Sequence, residues 1–200
     1  MTGNHNDPPE SGSGGQQKQG ADAFGHEALH GLFAYWDSVR DTRLLPAANE
    51  IDPSQIAPLL KHVTIYDLLS ETDIRYRLVG TAAVERMSTD PTGQNLLEMS
   101  APDSRADLTR ILHTIVEHPV AAVAAYRNRY ESGKQVIVRS LLLPLSAPVG
   151  ASPRIIAIHV QEKSLTYAAE QSPTTIVTQI DEIDWIDVGA GLPQAGQADG

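Results

Sequence analysis

The sequence predicts an α+β domain: a five-stranded antiparallel sheet, helices inserted between strands 2 and 3, and an amphipathic helix ahead of the sheet. Three observations carry this. The order along the chain reads helix, two strands, a helical stretch, then three strands. Short polar turns join the strands, which suits antiparallel pairing. The continuous strand–helix alternation that marks a parallel sheet is absent.

Residues 1–24 are Gly, Ser, Pro, Gln and Asn with little to bury, and read as a disordered arm, with order starting near His26. From His26 to Arg40, Leu29, Leu32, Phe33, Trp36 and Val39 recur at helical spacing. Leu45-Pro46 ends that segment. Asp52 then suits an N-cap and Pro53 a first helical turn, opening a short helix through Leu60. His62 to Leu69 is β-branched and aromatic, as a strand requires. Ile74 to Val79 alternates, with Ile74, Tyr76 and Leu78 on one face and Arg75 and Arg77 on the other.

Ala82 to Met87 is a short helix, and Asp90-Pro91-Thr92-Gly93 is a turn. Asp103 to Glu117 carries the stripe Leu108, Ile111, Leu112 and Ile115, and Pro119 stops it. Strands follow over 121–130, 135–145 and 154–161. Pro144 marks the end of its strand or an edge. The third of these strands is almost wholly apolar, as expected of a central strand covered on both faces. The middle helices are expected to cover one face. The first helix covers the other, or a second subunit. Residues 164–173 read as a linker. Thr174 to Val188 is acidic but holds Ile176, Ile180, Ile183, Trp185 and Ile186; helix and strand templates fit it equally badly, so it is left unassigned.

Charge and composition narrow the function. The 200 residues carry a net charge of -10, which disfavours nucleic acid and a polybasic membrane contact. Residues 162–200 hold seven acids against one base, while residues 26–161 hold 15 against 13. The domain plan is therefore an arm over 1–24, a folded unit over 25–163 and an acidic extension over 164–200. The acidic segment around Trp185 is expected to respond to the state of the core. With no cysteine, disulfides, thiolate metal sites and thiol nucleophiles are excluded. No apolar run approaches the roughly 20 residues of a membrane span, and no signal peptide is evident. The expected location is the cytoplasm.

Tyr35-Trp36, Leu45-Pro46, Ile51-Asp52-Pro53, Tyr76-Arg77-Leu78-Val79-Gly80-Thr81, Asp90-Pro91-Thr92-Gly93 and Leu143-Pro144-Leu145 occur in this order. Together they resemble the pattern of PAS_5, a compact bacterial PAS family common in alphaproteobacteria, from about Leu32 to Val160. The resemblance implies a PAS-like fold and a stand-alone sensory or regulatory module in signal transduction, not an enzyme. It also implies a small ligand or a signalling partner in trans, bound between the sheet and the middle helices, and a homodimer formed through flanking helices. It names no cofactor. Tyr76, Leu78, Met87, Leu96, Leu112, Tyr126 and Ile156 sit on the elements that would enclose such a cavity. In a ligand-free dimerising adaptor the same residues would be ordinary core. Leu29, Leu32, Phe33 and Trp36 form the candidate docking stripe, on the chain's own sheet or on a second copy.

Other residues carry chemistry in principle. His26-Glu27-Ala28-Leu29-His30 matches H-E-x-x-H, which in a zinc hydrolase supplies two ligands and a base. Here the positions of the extended motif hold Phe33 and Trp36, Glu50 is the one downstream carboxylate weighed as a ligand, and no strand precedes the motif; chance is the better reading. His113 stands on the helix from which haem-binding PAS proteins supply a ligand, against the simpler reading of a polar-face residue. His159 reads as a satisfied, buried histidine. Arg75 and Arg77 are expected to pair with Asp67 or Glu71, with Arg77 the alternative anchor for an anionic ligand.

Overall fold

The computed structural model describes residues 24–165 and 174–194. The expected arm lies outside the described residues up to residue 23, as does residues 166–173 of the expected linker. Ordered packing begins two residues before His26: Phe24 is buried and its ring lies 5.0 Å from that of Phe33.

Helix α1 (Glu27–Arg40) starts where His26 turns its ring back to accept the Ala28 N–H at Nδ1, 3.1 Å away. Glu27 in its first turn and Arg40 in its last complement the helix dipole. Asp52 caps a 3₁₀ turn over Pro53–Ile56 by accepting the Ser54 N–H at 2.9 Å. Strands β1 (Val63–Leu68) and β2 (Ile74–Val79) follow, then α2 (Thr81–Met87), α3 (Leu96–Met99) and α4 (Arg105–Glu117). Four residues are too few to show a helical period, so α3 was not anticipated; Asn95 caps it by accepting the Leu97 N–H at 3.0 Å. The chain continues through β3 (Val120–Tyr130), β4 (Gln135–Leu145), β5 (Arg154–Ser164) and β6 (Thr174–Asp187).

The sheet has six strands rather than five, in the order β2-β1-β5-β4-β3-β6, and every neighbouring pair is antiparallel. The sixth is the segment the sequence left open. It pairs along β3 with two register shifts, at Ala125/Tyr126 and between Arg127 and Arg129. The first, one extra residue on β6, moves side chains to the opposite face, and the second puts two extra residues into β6, so no single period survives. At the second shift, Asn128 Oδ1 accepts the Val177 N–H at 2.9 Å, and Val177 takes a positive φ of 45°, an unusual conformation for a β-branched residue.

Two apolar layers flank the sheet. On one side, α2, α3 and α4 pack with Ile74, Leu112, Ile115 and Ile155 at the centre. On the other, Leu29, Leu32 and Trp36 of α1 are wholly buried against Leu141, Leu143, Ile156 and Ile158. Trp36 also donates from Nε1 to the Pro144 carbonyl at 2.9 Å. β3 follows β4 only as far as Leu142, so Pro144 sits where a missing N–H removes no bond to β3. Buried this way, Leu29, Leu32 and Trp36 dock on their own chain's sheet, the first of the two alternatives, and present no surface to a second copy. Phe33 is half-buried between Phe24 and Trp36.

Candidate functional site

An inner cavity of about 70 Å³ lies between the sheet and the three middle helices, room for about five water-sized groups at about 10–15 Å³ each. Leu96, Leu108, Ile111 and Leu112 close it from the helices, Met87 and Arg86 from α2, and Ile176, Val177 and Ile180 from β6. Its floor is strand side chains, and there the lining turns polar. His159 on β5 is buried and lies between three hydroxyls. Its Nε2 is 3.1 Å from Tyr66 Oη on β1; its Nδ1 is 2.6 Å from Ser140 Oγ on β4 and 3.1 Å from Tyr126 Oη on β3. Tyr66 and Tyr76 pack ring against ring at 5.1 Å.

Burial sets the protonation of this cluster. It pushes His159 down to about 3, helped by the positive charge of Arg86, so the ring is neutral. Burial likewise raises Tyr66 and Tyr76 well above the ordinary phenol range, and raises Tyr126. The phenols therefore keep their protons. Arg86 also lines an outer cleft of about 410 Å³ with His26, His62, Glu85, Tyr130 and Lys134, so it stands in the wall between cavity and cleft.

The PAS_5 model, described as a PAS domain, matches residues 24–160, more than half of the chain. The chain belongs to the PAS_5 family. No curated protein matches it. Among solved structures, it is similar to the Drosophila melanogaster Cycle W398A PAS-B domain with bound glycerol, at 13% identity and a TM-score of 0.41 over 50% of this chain and 98% of that one. It is also similar to an RNA-binding light-oxygen-voltage receptor, at 18% identity and a TM-score of 0.39 over 60% of this chain and 36% of that one.

Of the residues singled out for a PAS cavity, Tyr76, Met87, Leu96, Leu112 and Tyr126 line it. Leu78 and Ile156 do not. Opposite β1, Tyr66 faces Tyr76 but Ile65 faces Leu78, so Arg77 is an extra residue on β2. That bulge turns Leu78 to the other side of the sheet, where it is 38% exposed. Ile156 lies on the α1 side, one residue out of phase with Ile155 and Ala157. A strand apolar on both faces carries no alternation from which to choose between them.

The polar half of the PAS cavity went largely unseen. Tyr66, Arg86, Asn128, Ser140 and His159 are spread over 94 residues of sequence and five elements. Two signals were available: a histidine in the middle of an apolar strand, and a serine in the run Val136–Leu145. His159 proves both satisfied, as read, and part of the lining.

The remaining candidates lie elsewhere. His26 spends its Nδ1 on the helix cap, His30 packs edge-on against Phe24, and Glu50 accepts from Arg43 and the Ala47 N–H. Among the described residues, no group of three or more His, Asp or Glu side chains could hold a metal ion. His113 faces Glu117 across 3.2 Å and does not line the cavity. Arg75 pairs with Asp73; Arg77 pairs with Asp67, which also accepts from Arg154. No described helix is long and apolar enough to cross a membrane.

Proposed function

We propose that this PAS domain is a sensory module of a signalling system that binds a small molecule in the inner cavity. The observation that supports this is the cavity's construction: an apolar enclosure with a hydrogen-bonding wall at one end, the usual plan of a small-molecule site. PAS domains typically sense rather than catalyse, and the reading is of a non-catalytic module. The adaptor reading is weaker, because the α1 stripe that would serve a partner is used on the chain's own sheet.

The module is read as a folded unit over 25–163 with 164–200 as its reporting segment, acting on a signalling partner in trans and as a homodimer in the cytoplasm. Support for a reporting role comes from β6: Ile176, Val177 and Ile180 touch the cavity, so an occupant would contact the strand directly. The test is protein-observed NMR with a library of small molecules, on wild type and on Ala124→Leu. Ala124 lines the cavity and is nearly buried, so a larger side chain there takes up the space. Binders that shift Tyr66, Tyr126 and Ile176 resonances, and lose at least tenfold in affinity in Ala124→Leu, support the reading. Binders unaffected by the substitution, or a library with none, overturn it.

A further inference from the structure

Resting on that cavity, we infer that its occupant is a small amphipathic anion, a short-chain monocarboxylate, held with its carboxylate toward Arg86, Asn128 and the tyrosine hydroxyls. Three observations converge on this. First, Arg86 is the one charged side chain among the described residues that line the cavity. A guanidinium presents donors only, in a planar fork that matches a carboxylate.

Second, the neutral polar groups face the cavity as donors. Asn128 is 5% exposed and its Oδ1 is taken by the Val177 N–H, so the hydrogen-bonding groups it has besides are the donors of its amide NH₂. The cluster around His159 gives the same answer by counting protons. Tyr66, Tyr126, Ser140 and the neutral ring hold four hydrogens. If Nε2 accepts from Tyr66, then Nδ1–H donates to Ser140, whose hydroxyl donates to Tyr126 at 3.3 Å. The Tyr126 O–H is then left over. In the other tautomer Nε2–H donates to Tyr66, and the leftover phenolic proton lies on the Tyr66–Tyr76 side. Either way one phenolic O–H of the cluster is left to donate outside it, so the network offers the occupant a donor.

Third, the opposite wall is hydrocarbon. Leu96, Leu108, Ile111, Leu112 and Ile180 offer nothing to a second charge, and a dianion or a sugar would leave polar groups unpaired there. With room for about five water-sized groups, the chain length is on the order of butyrate.

The test is calorimetric titration of the full chain with butyrate, 1-butanol and 1-butylamine, which share a shape and differ in charge. Butyrate is expected to bind at least tenfold tighter than the alcohol, and the amine not at all. In Arg86→Met, checked for a native NMR spectrum, butyrate loses at least tenfold while 1-butanol is unchanged. Equal or tighter binding of the alcohol by wild type overturns the anion assignment and leaves the cavity reading standing, and that comparison needs no variant. Failure of all three, with no binder found in the wider library, removes both readings.

Discussion

Acidification should unfold this domain through His159. The ring is 7% exposed, contacts three hydroxyls and, among the described residues, has no carboxylate hydrogen-bonded to it; Arg86 and His62 add positive charge nearby. Its pKa falls from 6.5 in the unfolded chain to about 3 in the fold. Between those values the unfolded state binds the extra proton. The stability contributed by the neutral ring is therefore complete above pH 6.5 and drains as the pH falls toward 3. The slope approaches about 1.4 kcal/mol per pH unit, and the whole window is worth about 5 kcal/mol as an upper limit. Glu50, Asp52 and Asp90, held below the usual carboxylate range chiefly by hydrogen bonds from Ala47, Ser54 and Thr92 respectively, lose stability in the same direction. The comparison must therefore be with His159→Gln, which keeps those groups and removes the titration. Urea midpoints at pH 6, 5 and 4 should show wild type losing about 1 kcal/mol per unit more than the variant. Parallel curves would refute the argument, because they would mean that the folded ring takes a proton as easily as the unfolded one.

Three further substitutions test the packing. Trp36→Phe removes the donor to the Pro144 carbonyl and should cost about 1–3 kcal/mol by thermal melting, since a buried acceptor is orphaned; a change under about 0.5 kcal/mol would mean the bond is not made. Gly80→Ala should destabilise by about 1–3 kcal/mol or more, because a Cβ there would lie 2.3 Å from the Leu60 carbonyl oxygen and 2.5 Å from that of Lys61; wild-type urea stability would show that this turn is looser than described. Leu112→Ala, at a position 1% exposed, should cost about 2–5 kcal/mol and enlarge the inner cavity, read by urea denaturation and by binding of apolar probes longer than butanol.

Much of the architecture was legible locally. Helix α1 follows from a stripe at helical spacing, α4 from Leu108, Ile111, Leu112 and Ile115, and the turn after Asp52 from a cap and a proline. β1 to β5 follow from β-branched and apolar runs separated by polar turns. The motif around Gly80 marked a position whose reason is steric: its φ of -70° is open to any residue, and the close approach of the Leu60 and Lys61 carbonyls demands the absence of a side chain.

What the sequence determined by itself is whatever depends on neighbours within a few residues: where a helix or strand forms, where a turn breaks it, and which stripe is apolar. Tertiary structure decided the rest. An extra residue at Arg77 reversed the facing of Leu78, and a strand apolar on both sides left Ile156 without a local preference. The register shifts that disguised β6 exist only in its pairing with β3. The polar wall of the cavity is assembled from Tyr66, Arg86, Tyr126, Asn128, Ser140 and His159. They form a site because strand pairing between distant segments brings Tyr66, Tyr126, Ser140 and His159 within hydrogen-bonding distance, while Arg86 on α2 and Asn128 on β3 line the same cavity, which no local period encodes.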